Sequence, residues 1–233
     1  MNYFLVTSGI HGPYGVFTVQ ERIEQTIKTA TSIRERIPDS TILLLEGGNS
    51  SLSSTDTDNL LKYYDRILDY TNDPVIQFAH NTHRDEVISL KGPCEAKLLS
   101  NATAELSVNP TDRIFKISGR YFLTDEFDLA KHTEQSGKYV FLSKFPGEKY
   151  GNLIPATPYQ YKTRLYSFCG SILDQAAKYY NQVFDGIVYN YSKGTFIDIE
   201  HMMWRTINPN LVTHINPIGV SGLQAEDSKL LRE

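Results

Sequence analysis

Residues 3–48 read YFLVTSGIHGPYGVFTVQERIEQTIKTATSIRERIPDSTILLLEGG, and this stretch decides the fold class. Tyr3 to Thr7 is a short apolar, β-prone run that ends in SGIHGPYG, a loop carrying Gly9, Gly12, Pro13 and Gly15. A helix then begins sharply. Thr18 is a good N-cap and Glu21 follows three residues later, the spacing of a capping box. Val19, Ile23, Ile27, Ala30, Ile33 and Ile37 recur at steps of three and four, which builds one apolar face, and Pro38-Asp39 stops the helix. Thr41 to Leu45 is a continuous apolar run, as expected of a strand buried on both faces of a parallel sheet, and it ends at Glu46-Gly47-Gly48. Strand, helix and strand in this order make one βαβ unit.

The unit repeats more loosely downstream. Asp58 to Tyr70 reads as a helix, Val75 to Ala79 as a third strand and Lys91 to Ala104 as a helix. Arg113 to Leu123 (RIFKISGRYFL) reads as one amphipathic strand with Gly119 inside it. Asp125 to Lys131 reads as a short helix capped by Thr124. Strands are expected at Tyr139 to Lys144, Tyr161 to Phe168 and, last, Leu211 to Ile215, before a polar tail. Ser171 is expected to cap one late helix, and Asp198 to Ile207 forms another. The expected class is α/β, a single domain over 1–233, with a mostly parallel Rossmann-like sheet, helices on both faces and a mixed C-terminal half.

Composition narrows the function. The chain has 233 residues, 40% hydrophobic and 21% charged, with 15 Gly and 10 Pro, which excludes collagen-like, disordered and coiled-coil chains. A net charge of −4 gives no global basic field for nucleic acid or anionic lipid. Cys94 and Cys169 are too few for a disulfide scaffold, and no apolar run reaches the length of a signal h-region or a membrane span. A cytoplasmic protein with no transmembrane segment is the expectation. The 15 Tyr, 11 Phe and one Trp suit a cleft that stacks on sugars or bases, as they suit an ordinary core.

In open α/β sheets, ligands bind beyond the carboxyl ends of the strands. That brings together Ser8 to Gly15, Glu46 to Asn49, Ala79 to His83 and Ser118 to Tyr121. The first loop lacks GxGxxG, and no GxxxxGK[ST] occurs, which disfavours dinucleotide and P-loop binding. Ser8, Gly9 and Ile10 let backbone approach a nucleotide, and Glu46 offers a carboxylate to two ribose hydroxyls; a plain βα turn and a solvated strand-end carboxylate are the competing readings. His80 and His83 have no third soft ligand at zinc spacing. In IFKISGRYFL, Gly119 permits close ligand approach and Arg120 offers a fork of donors to a phosphate, unless it pairs a nearby carboxylate. In FIDIEHMMWRT, Asp198 and Glu200 stand at a helix start. Aspartate is a preferred N-cap, so Glu200 is the candidate base and Asp198 its reserve.

These segments together resemble a small glycosyltransferase of the GT-A fold, the nucleotide-diphospho-sugar transferase superfamily. The resemblance spans nearly the whole chain. It rests on the βαβ unit with acidic Glu46, on KISGRYFL (Lys116 to Leu123), as in lipopolysaccharide- and virus-type sugar transferases, and on DIEHMMWR (Asp198 to Arg205). The last resembles the acidic segment of inverting GT-A enzymes. The resemblance implies transfer of a sugar from a nucleotide-diphosphate-sugar donor to an acceptor hydroxyl, probed by residues 1–125 on the donor side and 126–233 on the acceptor side. Glu200 or Asp198 would be the base. Ser8, Gly9, Ile10, Glu46, Lys91, Gly119, Arg120 and Tyr121 would bind the donor, and Tyr166, Trp204 and His201 the acceptor. GT-A enzymes usually carry a DxD that holds a divalent cation, Mn or Mg; Ser118-Gly119-Arg120 stands in its place here, so Arg120, with Lys91, would supply the positive charge instead. A non-catalytic glycan- or nucleotide-binding protein on the same fold is the alternative, as is a nucleotidyltransferase, although SGIHGPYG lacks the basic residues the latter needs.

Overall fold

The computed structural model describes residues 1–13, 15–82, 91–147, 157–225 and 227–233. Strand β1 (Asn2–Ser8), helix α1 (Val19–Arg36) and strand β2 (Thr41–Glu46) form the expected βαβ unit, with β1 and β2 parallel and Ser8 opposite Glu46. Both halves of the capping box are present at Thr18 and Glu21; such a cap is worth about 1 kcal/mol.

The next segment differs from the expectation. Helix α2 (Ser54–Leu60) ends early, strand β3 (Arg66–Asp69) occupies the end of the expected helix, and the expected strand at Val75 to Ala79 lies in helix α3 (Pro74–Thr82). Asp73 and Pro74 explain the last change. The Asp73 carboxylate accepts from the backbone N–H of Val75 at 2.8 Å, and proline is preorganised for the first helical turn. Ile76 and Ala79, three apart, are then buried on one helix face.

Helix α4 (Lys91–Glu105) leads into β4 (Arg113–Ser118), and the expected long strand breaks at Gly119-Arg120. Gly119 N–H donates to Thr7 O at 2.8 Å, and the chain turns into β5 (Tyr121–Leu123) of a second sheet. Helix α5 (Leu129–Thr133) is capped by Asp128 and not by Thr124. Strand β6 (Tyr139–Leu142) precedes a small hairpin of β7 (Phe145–Pro146) and β8 (Tyr159–Gln160). Strand β9 (Leu165–Cys169) passes through a 3-10 turn at Gly170–Ile172 into α6 (Leu173–Ser192); Ser171 lies in that turn and no side chain caps α6. Helix α7 (Ile199–Thr206) and strand β10 (Val212–Ile215) follow. The expected polar tail is in fact a hairpin, β11 (Val220–Leu223) and β12 (Leu230–Arg232), which joins β5.

The main sheet has the order β10-β6-β9-β4-β1-β2-β3, with β9 antiparallel to both neighbours. Strand parity sorts its residues into two cores. Phe4, Val6, Ile42, Leu44, Phe115 and Ile117 pack with Ile23, Ala30 and Ile33 of α1. Leu5, Leu43, Leu45 and Ile114 pack with α4, α6 and α7 on the opposite face. Burying each such side chain contributes about 1.5–3 kcal/mol. Lys116 has the parity of Ile114 and therefore points at α4.

A polar cluster lies on the α1 side. His132 has no exposed surface, its Nδ1 is 2.7 Å from Ser167 Oγ, and Ser167 Oγ accepts from Arg113 Nε at 2.9 Å. Burial, and then the Arg113 charge, push the imidazole pKa down to about 3. A group depressed in this way stabilises the fold above its unfolded pKa of about 6.5 and loses that contribution as pH falls toward 3. His132→Leu should therefore flatten the decline of melting temperature between pH 6.5 and 4. A decline as steep as in the parent would contradict this assignment.

Candidate functional site

The carboxyl ends of β1, β2 and β4 open into one cleft. Its floor is Thr7, Ser8, Gly9, Gly47 and Ser118, and its walls carry Arg22, His80, Lys91, Glu95 and Arg120. A Cβ built at Gly9 would meet nothing within 4 Å, so the backbone there faces open space.

Three cations reach this space from three elements. Arg22 comes from α1; its Nη1 donates to Gly9 O at 2.8 Å and its Nε to Phe17 O at 3.0 Å. Lys91 opens α4, and Arg120 stands at the break after β4. Burial and then the neighbouring Arg120 charge lower the Arg22 pKa, while Glu46 opposes them. Guanidinium groups brought together in a partly buried cleft repel one another, and an anion between them relieves that repulsion.

Glu46 does not present its carboxylate to the cleft. It has no exposed surface; Oε1 accepts from Ile10 N–H at 2.9 Å and Gly48 N–H at 2.8 Å, and Oε2 from the Ser8 hydroxyl. The carboxylate holds the first loop against the end of β2, so the expected ribose contact is corrected to a structural role. Ile10 is likewise buried in the α1-side core, whereas Ser8 and Gly9 line the cleft. Tyr121 is 3% exposed and its hydroxyl accepts from Arg164 Nε at 3.0 Å; its ring packs in the α1-side core and offers no donor contact. Gly119 packs closely against α1 and β1, where a Cβ would lie 3.2 Å from Thr26 Oγ1 and 3.3 Å from Thr7 O.

On the acceptor side, Tyr166 is fully buried with its hydroxyl 2.9 Å from that of Tyr180, so it cannot stack on a sugar. His201 is fully buried too, its Nδ1 2.7 Å from Asp198 Oδ1. Asp198 is the N-cap of α7, accepting from His201 N–H at 2.8 Å. Trp204 is partly exposed, with its ring 5.7 Å from that of Tyr159. Glu200 lies in the first turn of α7, its side chain 19% exposed, with Oε2 3.2 Å from Lys162 Nζ and Oε1 accepting from Thr163 N–H at 3.2 Å. Burial raises its pKa above the usual carboxylate value, against the lowering charge of Lys162. His83 lies outside the described residues.

Two charged cleft residues were not singled out from sequence. Arg22 follows the capping-box glutamate and carries no motif that marks it out. Glu95 had a legible signal, because it stands one turn after Lys91 on the same face of α4. Glu95 pairs with Lys116, which has no exposed surface and donates to Ser118 Oγ at 2.8 Å and Thr163 O at 2.7 Å. Thr163 thus joins the cleft floor to Glu200.

A divalent cation bound beside a diphosphate needs hard oxygen ligands, usually carboxylates. The end of β4 provides a hydroxyl, a glycine and a guanidinium. Among the described residues no group of three or more His, Cys, Asp or Glu converges. Asp125 pairs with Arg36 and Asp128 caps α5. These residues do not fit such a cation.

Solved structures share this arrangement of strands and helices. Galactosyltransferase LgtC, in a structure with donor and acceptor sugar analogues, aligns with 93% of this chain and 73% of its own at a TM-score of 0.53 and 11% identity. An active-site variant of LgtC aligns over the same shares at 0.55 and 10%. The chain has a GT-A-like glycosyltransferase fold. No protein-family profile matches it, and no curated protein matches its sequence. Among the described residues, no helix is long and apolar enough to cross a membrane.

In this GT-A-like fold the Glu46 carboxylate titrates with the loop it holds. Burial raises its pKa to about 7, although the hydrogen bonds from Ser8, Ile10 and Gly48 lower it. A carboxyl raised in this way contributes stability below its unfolded pKa, about 4.5, and loses it as pH rises through 7. Glu46→Gln should therefore gain stability relative to the parent between pH 4.5 and 8, by up to about 3 kcal/mol in denaturant unfolding. A difference that does not vary with pH would contradict this.

Proposed function

We propose that the protein is a glycosyltransferase that moves a sugar from a nucleotide-diphosphate-sugar donor to an acceptor hydroxyl, on a glycan, in an inverting displacement. The observation that carries this reading is the convergence of Arg22, Lys91 and Arg120 on Ser8 and the open backbone of Gly9, at the carboxyl ends of the parallel strands. A diphosphate fits that arrangement: it bears adjacent negative charges, and guanidinium forks bind phosphate oxygens bidentately. The same cations would stabilise the diphosphate as it leaves, which is where charge develops in the transition state. LgtC, with its donor and acceptor sugar analogues, supports donor and acceptor of these classes for the shared fold.

In this reading residues 1–125 form the donor side and 126–233 the acceptor side of a single domain. Glu200 takes the proton from the acceptor hydroxyl as that oxygen attacks the anomeric carbon and the bond to the diphosphate breaks. Its raised pKa suits a general base, and Thr163 and Lys116 connect it to the cleft floor. Trp204, beside Tyr159, is the residue that would contact the acceptor.

The first test is nucleotide binding by calorimetry. Arg120→Ala and Arg22→Ala should each weaken nucleoside-diphosphate binding at least tenfold with the fold intact, since each removes a charge-assisted hydrogen bond of about 1.5–3 kcal/mol. Unchanged affinity in both variants would reject the site. Glu200→Gln should lower kcat roughly 10²-fold and leave donor affinity unchanged; full activity would remove Glu200 as the base. Because the residues after β4 do not fit a divalent cation, turnover should persist in EDTA, and strict dependence on added Mn²⁺ would show that the diphosphate lies elsewhere.

A further inference from the structure

Glu95 is unusual in the cleft because it is the one carboxylate among the described lining residues, and it stands in a wall otherwise built to attract anions. Neutralising Lys116 explains only part of its geometry. Its Oε1 is buried against the Lys116 ammonium, yet 23% of the side chain stays open, whereas Lys116 has no exposed surface. A carboxylate has about four acceptor sites on its two oxygens, and one ammonium does not use them all. Because Glu95 lines the cleft, the open part of its side chain is accessible to a ligand there.

Its surroundings define what it can accept. Lys91 lies one helical turn before it, and Cys94 and Leu98 share the same helix face, with Leu98 against Gly47. Through Lys116 and Ser118, Glu95 is anchored to the end of β4, two residues from Arg120. Arg120 and Glu95 line the same cleft, so a group bonded to a diphosphate on Arg120 shares that space with Glu95. A further phosphate beside Glu95 would set its charge against the carboxylate. A neutral group that donates hydrogen bonds meets no such cost. A sugar ring satisfies both conditions through its hydroxyls.

We infer that Glu95, held by the buried Lys116, binds hydroxyls of the sugar on the donor and turns away nucleoside triphosphates, so that this wall of the cleft distinguishes a nucleotide-sugar from other nucleotides. The inference rests on the glycosyltransferase reading of the same cleft. Selection of this kind combines an attraction for one ligand with a repulsion of its competitor. Lys116 is a positioning residue: it touches no ligand and fixes the carboxylate.

The test is calorimetric binding of UDP, UTP, UDP-glucose and UDP-galactose, and of GDP, GTP and GDP-mannose, to the full chain and to Glu95→Gln. Glutamine keeps the shape and an oxygen for Lys116 but removes the charge. In the parent, at least one nucleotide-sugar should bind roughly ten- to hundredfold more tightly than its diphosphate, the range of hydrogen bonds to a charged acceptor. The matching triphosphate should bind more weakly than the diphosphate. In Glu95→Gln both differences should shrink toward one, with affinity for the diphosphate itself retained. Glu95→Asp, which keeps the charge but shortens its reach, should lose the sugar preference and still reject the triphosphate. If the sugar preference persists in Glu95→Gln, or if the parent binds diphosphates but gains nothing from the sugar, the inference is overturned while the nucleotide site stands. If no nucleotide binds the parent, the glycosyltransferase reading itself fails. A melting temperature for each variant within a few degrees of the parent assigns the changes to binding; a variant that unfolds is replaced by the double variant Glu95→Gln/Lys116→Met, which removes both buried charges together.

Discussion

Lys116 occupies a position in β4 whose neighbours along the strand alternate into two apolar cores, and its ammonium has to find charge and acceptors inside the protein. It finds Glu95 on α4, the hydroxyl of Ser118 and the carbonyl of Thr163. Breaking a buried pair of this kind by removing one partner typically costs about 3–5 kcal/mol, because the other charge stays behind. Its value lies in position more than in net stability. One side chain ties the helix that walls the cleft, the strand end that forms its floor and the segment against which Glu200 rests. Burial lowers the Lys116 pKa while the charge of Glu95 raises it, so the ammonium depends on that partner.

The opposite corner of the cleft is fixed in a similar manner. Glu46, fully buried, gathers Ser8, Ile10 and Gly48 and so closes the loop after β1 onto the end of β2. Arg22 then bonds the carbonyl of Gly9 and completes the rim. The C-terminal hairpin adds to it: Val16 N–H donates to Ala225 O at 2.9 Å, and Ala225 lines the cleft. Glu233, after β12, pairs with Arg164 at 2.5 Å and Arg164 holds the Tyr121 hydroxyl. Groups that line the cleft thus rest on buried charges behind them.

Much of this was legible in the sequence, for reasons that particular residues make plain. The β1–α1–β2 unit carried a long 3.6-residue period, a capping box and an uninterrupted apolar strand, three signals that agree. Residues 58–79 carried short apolar runs, which periodicity alone cannot assign to helix or strand; only the Asp73-Pro74 start signal separated α3 from a strand. The break at Gly119 was visible as a glycine, but its cause, the bond to Thr7 across the sheet, is tertiary. Among the residues that line the cleft, Ser8, Gly9 and Arg120 were reachable because strand ends in an α/β sheet converge. Tyr121, Tyr166 and His201 looked like ligand contacts by residue type, yet strand parity and partners distant in sequence bury the two tyrosines, and His201 is buried on α7 against Asp198, three residues before it. Arg22 had no distinguishing pattern, since a basic residue in the first turn of a surface helix is commonplace.

Sugar transfer in this cleft requires a diphosphate between the Gly9 backbone and the two arginines, and an experimental structure with a bound nucleoside diphosphate tests that most directly. The expected result is phosphate oxygens within about 3 Å of the Arg120 and Arg22 guanidiniums, with Glu95 beyond the terminal phosphate. A nucleotide bound away from the ends of β1 and β4, or phosphates that contact neither arginine, would contradict it.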